Sequence, residues 1–118
     1  MQQSRAPRRL FDDIVAQLQS RQTEQAIAGC RALLARYPGD INILGLLGAA
    51  LGDARRFDEA EKILHKVIDL APTFAKPYED LGTLLMQQHK AQEALPLLEK
   101  AVRLDSQLEE AHFQLGKA

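Results

Sequence analysis

The chain has 118 residues, of which 46% are hydrophobic and 26% charged, a balance that suits one folded domain and is too apolar for a disordered segment. Fifteen basic residues against 16 acidic ones leave a net charge of −1, so no overall field draws the chain to nucleic acid or to an anionic bilayer, and neither is expected as a partner. A single cysteine, Cys30, excludes an internal disulfide and suits a reducing compartment.

The first ten residues, Met1 to Leu10, carry Arg5, Arg8 and Arg9 with no apolar run behind them. They do not form a secretory signal, and the chain is expected in the cytoplasm. The three arginines read as a short solvated cluster beside a helix start and are assigned no function. The longest apolar stretch, Ile41 to Gly52 interrupted by Asn42, falls well short of the roughly 20 residues that cross a bilayer. No membrane span is expected.

Shifting the chain against itself by 34 residues exposes its organisation. The shift superposes Leu47-Gly48, Leu81-Gly82 and Leu115-Gly116. It also places Ala26, Ala60 and Ala94 in one slot, Cys30, Leu64 and Leu98 in a second, Leu33, Val67 and Ala101 in a third, and Pro38, Pro72 and Ser106 in a fourth. In chain order, residues 1–6 are a tail and residues 7–40 a first, degenerate unit. Residues 41–74 are the second unit, with one helical stripe of Leu44, Leu47, Gly48 and Leu51 and another of Ala60, Ile63, Leu64 and Val67. Asp58 and Glu61 have the spacing of a capping box and are expected to start its second helix, which Pro72 ends. Residues 75–108 repeat the plan, with Pro96 expected about four residues into the last complete helix, in its first turn, where the missing N–H is tolerated. Residues 109–118 are the first helix of a truncated fourth unit. Because that helix shows Leu115-Gly116 and then stops without a stop signal or a polar outer face, the chain is expected to be a piece of a longer protein.

This arrangement resembles the tetratricopeptide repeat. Against that family's aromatic, Leu, Gly, aromatic, Ala, aromatic and Pro slots, the second unit offers Leu44, Leu47, Gly48, Leu51, Ala60, Leu64 and Pro72. The third offers Tyr78, Leu81, Gly82, Leu85, Ala94, Leu98 and Ser106. The first unit agrees at Leu10, Ala26, Cys30 and Pro38 but carries Asp13, Ile14 and Gln17 where Leu, Gly and an aromatic belong, as terminal repeats often do. The resemblance covers about residues 7 to 118. It implies an all-α fold, a right-handed superhelical stack of antiparallel helix pairs forming an α-solenoid. Gly48 with Ala60 and Gly82 with Ala94 would let paired helices approach closely, while Leu44, Tyr78 and Leu64 fill the gaps between units.

No catalytic or cofactor chemistry emerges from the residues. Gly45, Gly48 and Gly52 lack the spacing and the preceding strand of a phosphate-binding loop. His65, His89 and His112 lie on different units with no ligand at metal spacing. Cys30 occupies a slot held elsewhere by Leu64 and Leu98, so a buried thiol is expected rather than a nucleophile. The adjacent acids Asp12-Asp13 and Glu109-Glu110 point to different helix faces. The chain is read as a non-enzyme without cofactor or metal, any catalysis lying beyond residue 118.

In the family, the first helix of each unit lines a concave surface that grips peptides. The face of each first helix left free by its core stripe gives a ladder of candidate partner-binding residues: Arg8, Phe11 and Val15, with Leu18, then Asn42, Gly45 and Ala49, with Gly52. Lys76, Glu79, Thr83 and Met86 continue it, and Phe113, flanked by Glu110 and Lys117, ends it. Gly45, Ala49 and Gly52 would form a shallow hollow beside an apolar wall of Phe11, Val15 and Leu18. A mid-helix glycine costs about 1 kcal/mol against alanine, so Gly45 implies close approach of either a ligand or a neighbouring helix. The Lys and Asn residues with which some family members hold a chaperone's C-terminal carboxylate are replaced here by Phe11, Val15 and Leu46, leaving only Lys76. An extended or helical peptide with an apolar anchor is expected instead. The resulting expectation is a scaffold or adaptor that binds a peptide or protein partner on its concave face. The alternative is the N-terminal substrate-recruiting arm of a larger enzyme such as a sulfotransferase or glycosyltransferase. Self-association through the exposed edge around Leu115 is a further expectation.

Overall fold

Apolar residues at helical spacing, interrupted at regular intervals by prolines and short polar turns, produce six α-helices in the computed structural model, which describes residues 5–105. They are α1 (Arg8–Gln19), α2 (Thr23–Arg36), α3 (Ile41–Asp53), α4 (Phe57–Leu70), α5 (Ala75–Gln87) and α6 (Ala91–Leu104), with no strand among the described residues. The expectations that fall on Ser106, His112, Phe113 and the Leu115 edge lie outside the described residues.

The chain forms two compact units that meet within α4, residues 1–63 and 64–118. In the first unit α1, α2 and α3 all touch one another, and in the second α5 packs on α6. The expected stripes are the core: Leu44, Leu47, Leu51, Ala60, Leu64 and Val67 are each at most 2% exposed. Ile43 and Ala50 are buried as well, so α3 buries more than one stripe.

α2, α4 and α6 start 34 residues apart, and the turns before them share one geometry. In each, the residue between the helices is left-handed: Arg21 (φ 62°), Arg55 (φ 61°) and His89 (φ 61°). Two backbone bonds close each turn. Arg21 donates to the Leu18 carbonyl at 3.1 Å and Gln22 to that of Gln17 at 2.8 Å, repeated by Arg55 to Gly52 and Arg56 to Leu51, and by His89 to Met86 and Lys90 to Leu85. This is the Schellman termination, usually completed by glycine. It corrects the expected capping box. α4 already begins at Phe57, with the Ala60 N–H donating to the Arg56 carbonyl, so Asp58 sits inside the first turn, where its charge favours the helix dipole. Pro96 needs the same kind of correction. With α6 starting at Ala91, it is the sixth helical residue, past the first turn, and costs the Gln92 carbonyl its amide donor.

Pro38 and Pro72 stop helices as expected. α2 ends at Arg36 and α4 at Leu70, and each proline opens a turn closed by Asp40 N–H to the Tyr37 carbonyl or Phe74 N–H to that of Ala71. The Tyr78 hydroxyl donates to the Pro72 carbonyl at 2.7 Å, tying α5 to its own turn.

The odd slots of the first unit compensate one another. Gly82 lets α6 come so close that an added Cβ would lie 2.6 Å from Leu98 Cδ2. The same slot in α1 holds Ile14, itself buried. Room for it comes from α2, where the smaller Cys30 stands in the slot of Leu98; a Cβ on Gly29 would meet Ile14 Cγ1 at 3.5 Å, an ordinary contact.

Candidate functional site

The site begins with a turn. Asp40, in extended backbone at the start of α3, accepts from the N–H groups of Asn42 at 2.9 Å and Ile43 at 3.2 Å through one carboxylate oxygen. Its other oxygen accepts the Ala6 N–H at 2.6 Å. The side chain is 3% exposed, and these three amide bonds satisfy its buried charge. Through Asp40 the residues before α1 are bound to the start of α3.

That tie creates a recess of about 320 Å³ lined by Arg5, Ala6, Arg8, Phe11, Asp40 and Asn42. Three candidate residues, Arg8, Phe11 and Asn42, are thus brought together. Arg8 lies over the Phe11 ring, 5.5 Å from its centroid, and donates from Nε to Asp12 at 3.1 Å in solvent. Arg5, Arg8 and Asn42 are exposed and Phe11 is half-buried, so the recess has an aromatic floor and a polar rim. Arg5 and Asp40 were not among the candidates. The aspartate directly before the apolar run of α3 is an N-cap signal that could have marked the turn. The contact with Ala6 is tertiary and leaves no mark in the local sequence.

Further along α3, nothing lies within 4 Å of a Cβ placed on Gly45. The space there is open, which removes the neighbouring helix as its explanation. Ala49 is exposed and Gly52 half-buried, and on α1 Val15 and Leu18 are half-buried. α1 and α3 touch in the first unit, so these half-buried and exposed residues belong to two helices that are neighbours.

The candidates on α5 are arranged differently. Glu79, placed on the ladder by spacing, is 3% exposed, and its carboxylate accepts from the Lys76 ammonium at 2.6 Å. Lys76 also reaches Asp80 at 3.4 Å. Burial works to lower the Lys76 pKa, but the Asp80 and Glu79 carboxylates outweigh it and hold the lysine above its ordinary value. Burial pushes the Asp80 carboxyl up from an ordinary 3.8 to about 6, with Lys76 opposing and Glu79 adding to the rise. Thr83 and Met86 are half-buried, and the Thr83 hydroxyl oxygen is buried without a hydrogen bond. The charges of this helix answer one another.

Cys30 is fully buried, and burial pushes its thiol up to about 11 against the opposing charge of Arg31, which suppresses the nucleophilic thiolate. Among the described residues no cluster of His, Cys, Asp or Glu could hold a metal ion, and no helix is long and apolar enough to cross a membrane.

Helical hairpins recurring every 34 residues, the first two ended by proline turns, define a helical repeat module. Tetratricopeptide repeat models match residues 17–81 and 78–104, and the chain belongs to the tetratricopeptide repeat family. Among curated proteins it is similar to the mitochondrial import receptor subunit TOM70 of Mus musculus, 29% identical over 98 residues that make up 82% of this chain and 16% of that one. The chain thus spans about a sixth of the length of the curated relatives it matches. Among solved structures, an O-GlcNAc transferase of Thermobaculum terrenum matches with a TM-score of 0.85 at 22% identity, over 92% of this chain and 21% of that one. The second TPR domain of human RPAP3, in complex with an HSP70 peptide, matches with a TM-score of 0.81 at 21% identity, over 92% and 90%. These structures establish the fold as all-α and of the tetratricopeptide type.

Proposed function

We propose that this chain is a protein-interaction scaffold that holds a peptide or protein partner on the exposed faces of its first helices, chiefly α1 and α3, in the cytoplasm. The observation that carries the reading is the open ground around Gly45. A glycine in mid-helix with nothing against it costs stability and serves no internal packing, and it sits one turn beyond Asn42, which lines a recess with Phe11. An apolar side chain of a partner would find there a surface that the fold leaves uncovered. The human RPAP3 domain, which is similar in fold, is described in complex with a peptide, in keeping with this use.

The test is retention of partners from source-cell lysate on the immobilised chain, beside an Ala49→Arg variant whose helicity is checked by circular dichroism. Ala49 is exposed, so arginine fits without disturbing the core. Partners held by the parent and lost by the variant are the expected result; equal retention by both would sink the assignment of the site.

A second reading is favoured by the similarity to the transferase, of which the chain covers 21%. In it the module is a substrate-recruiting arm of a larger enzyme. The coding sequence around these 118 residues distinguishes the two, since a sugar-donor or other catalytic domain supports the arm and further repeats support the scaffold.

A further inference from the structure

The Phe11 recess points to the chemistry of the partner. We propose that the recess between the N-terminal ends of α1 and α3 takes an internal Asp or Glu side chain of an extended peptide, whose apolar neighbour rests on Phe11. This deepens the reading above and rests on it.

Charge supports the choice of an acid. Of the charged residues lining the recess, Arg5 and Arg8 are exposed, whereas Asp40 is buried. Both Asp40 oxygens are committed to backbone amides, of Ala6 on one side and of Asn42 and Ile43 on the other. The charges that an incoming group meets are therefore two guanidinium groups. Arg8 uses only Nε for Asp12, which leaves its terminal nitrogens able to donate to a carboxylate. Its position above Phe11 keeps a cation and an apolar surface side by side, so acid and apolar anchor must be neighbours in the ligand. Asn42, exposed on the rim, offers both donor and acceptor to a peptide bond of a chain passing over the recess. This suits an internal residue better than a chain end.

A second recess, at the start of α5 and the end of α6, carries no such offer. It is a recess of about 280 Å³ lined by Thr73, Phe74, Ala75, Lys76, Leu104 and Asp105, and its lysine is already held by Glu79 and Asp80. Acid recognition is assigned to the first unit alone.

The experiment is selection by the whole 118-residue chain from a random nonapeptide library displayed without a free C-terminus. Selected sequences are then resynthesised with amidated ends and measured by fluorescence anisotropy. The expected outcome is enrichment of Asp or Glu one or two positions from Leu, Ile, Met or Phe. Affinity should fall about tenfold when that acid becomes its amide, and by a similar factor in the Arg5→Gln, Arg8→Gln double variant, with the loss shrinking at high salt. Both arginines are exposed, so the double variant keeps the fold, and Arg8→Lys should restore part of the binding. Neutral or basic peptides, or acidic ones indifferent to the double variant, overturn the proposal. If such peptides are still lost with Ala49→Arg, the interaction module stands and only its acid preference fails; if no peptide is selected, both readings fail.

Discussion

α3 and α5 are the same helix by repeat position, yet they meet solvent in opposite ways. Slot for slot, 34 residues apart, Asp40 answers to Phe74, Asn42 to Lys76, Gly45 to Glu79, Leu46 to Asp80 and Ala49 to Thr83. α3 is capped by a carboxylate with three amide partners and leaves open space at Gly45. α5 has no side-chain cap and fills the equivalent ground with its own ion pairs. One backbone plan therefore carries a surface left open in one unit and a self-satisfied surface in the other. The physical difference is whether polar groups are answered from inside the chain.

Two mid-helix glycines, Gly45 in α3 and Gly82 in α5, break the comparison most sharply. A Cβ on Gly82 would lie 2.6 Å from Leu98 Cδ2 and 2.7 Å from Leu98 Cγ, and Leu98 is fully buried. Gly82→Ala should cost about 2 kcal/mol through overpacking. Gly45→Ala meets nothing and gains helix propensity, so it should stabilise by about 1 kcal/mol. Urea unfolding of both variants checks the pair. Equal signs would mean that the space at Gly45 is not open, and with it the reading of the hollow would fall.

The self-answered surface of α5 has a pH signature. Asp80 has a folded pKa of about 6 against an ordinary 3.8, so between those values the folded protein binds more protons than the unfolded one, and the contribution of this group to stability falls as pH rises through the window. Asp80→Asn removes the buried charge while leaving Lys76 its bond to Glu79. The variant should be more stable than the parent by about 1–2 kcal/mol at pH 7.5, allowing for the partial exposure of Asp80 and the lost Lys76 pairing. The gap should close by pH 4. A gap that does not narrow would show that burial of the charge is not the cause.

Much of this fold was legible because apolar residues at a fixed period write the same core three times, and Leu47, Leu64, Leu81 and Leu98 sit where that pattern places them. The sequence was less informative wherever a feature depends on backbone or on tertiary proximity. The capping box at Asp58 and Glu61 was misread because the helix starts one residue earlier, at Phe57, where the main-chain bonds of the preceding turn place it. Pro96 moved out of the first turn for the same reason. At the site, helical spacing found Arg8, Phe11 and Asn42, since all three lie on free faces of first helices. It could not find Arg5, which the amide of Ala6 brings to the recess through Asp40. Glu79 was placed by spacing on the open face, but it is buried and paired with a lysine three residues earlier. Lys76, Glu79 and Asp80 are an i, i+3, i+4 set whose mutual pairing could have been weighed.

The turns missed in the sequence offer the smallest effect and a direct check on that lesson. Arg21, Arg55 and His89 all adopt φ near 60°, where a side chain strains against its own backbone and glycine does not. Both Arg21 and Arg55 are exposed, but Arg55 recovers part of the cost by lying over Phe57, 5.3 Å from the ring centroid. Arg21→Gly should therefore stabilise the protein by about 1 kcal/mol, and Arg55→Gly by less because the ring contact is lost. Thermal unfolding of the two variants should rank them in that order. The reverse ranking would show that the Arg55 and Phe57 contact contributes nothing, while a loss of stability at Arg21 would mean that this turn is not left-handed. The glycine that would have announced these turns in the sequence is absent from all three, so the chain carries a small strain at every hairpin where a more legible sequence would carry none.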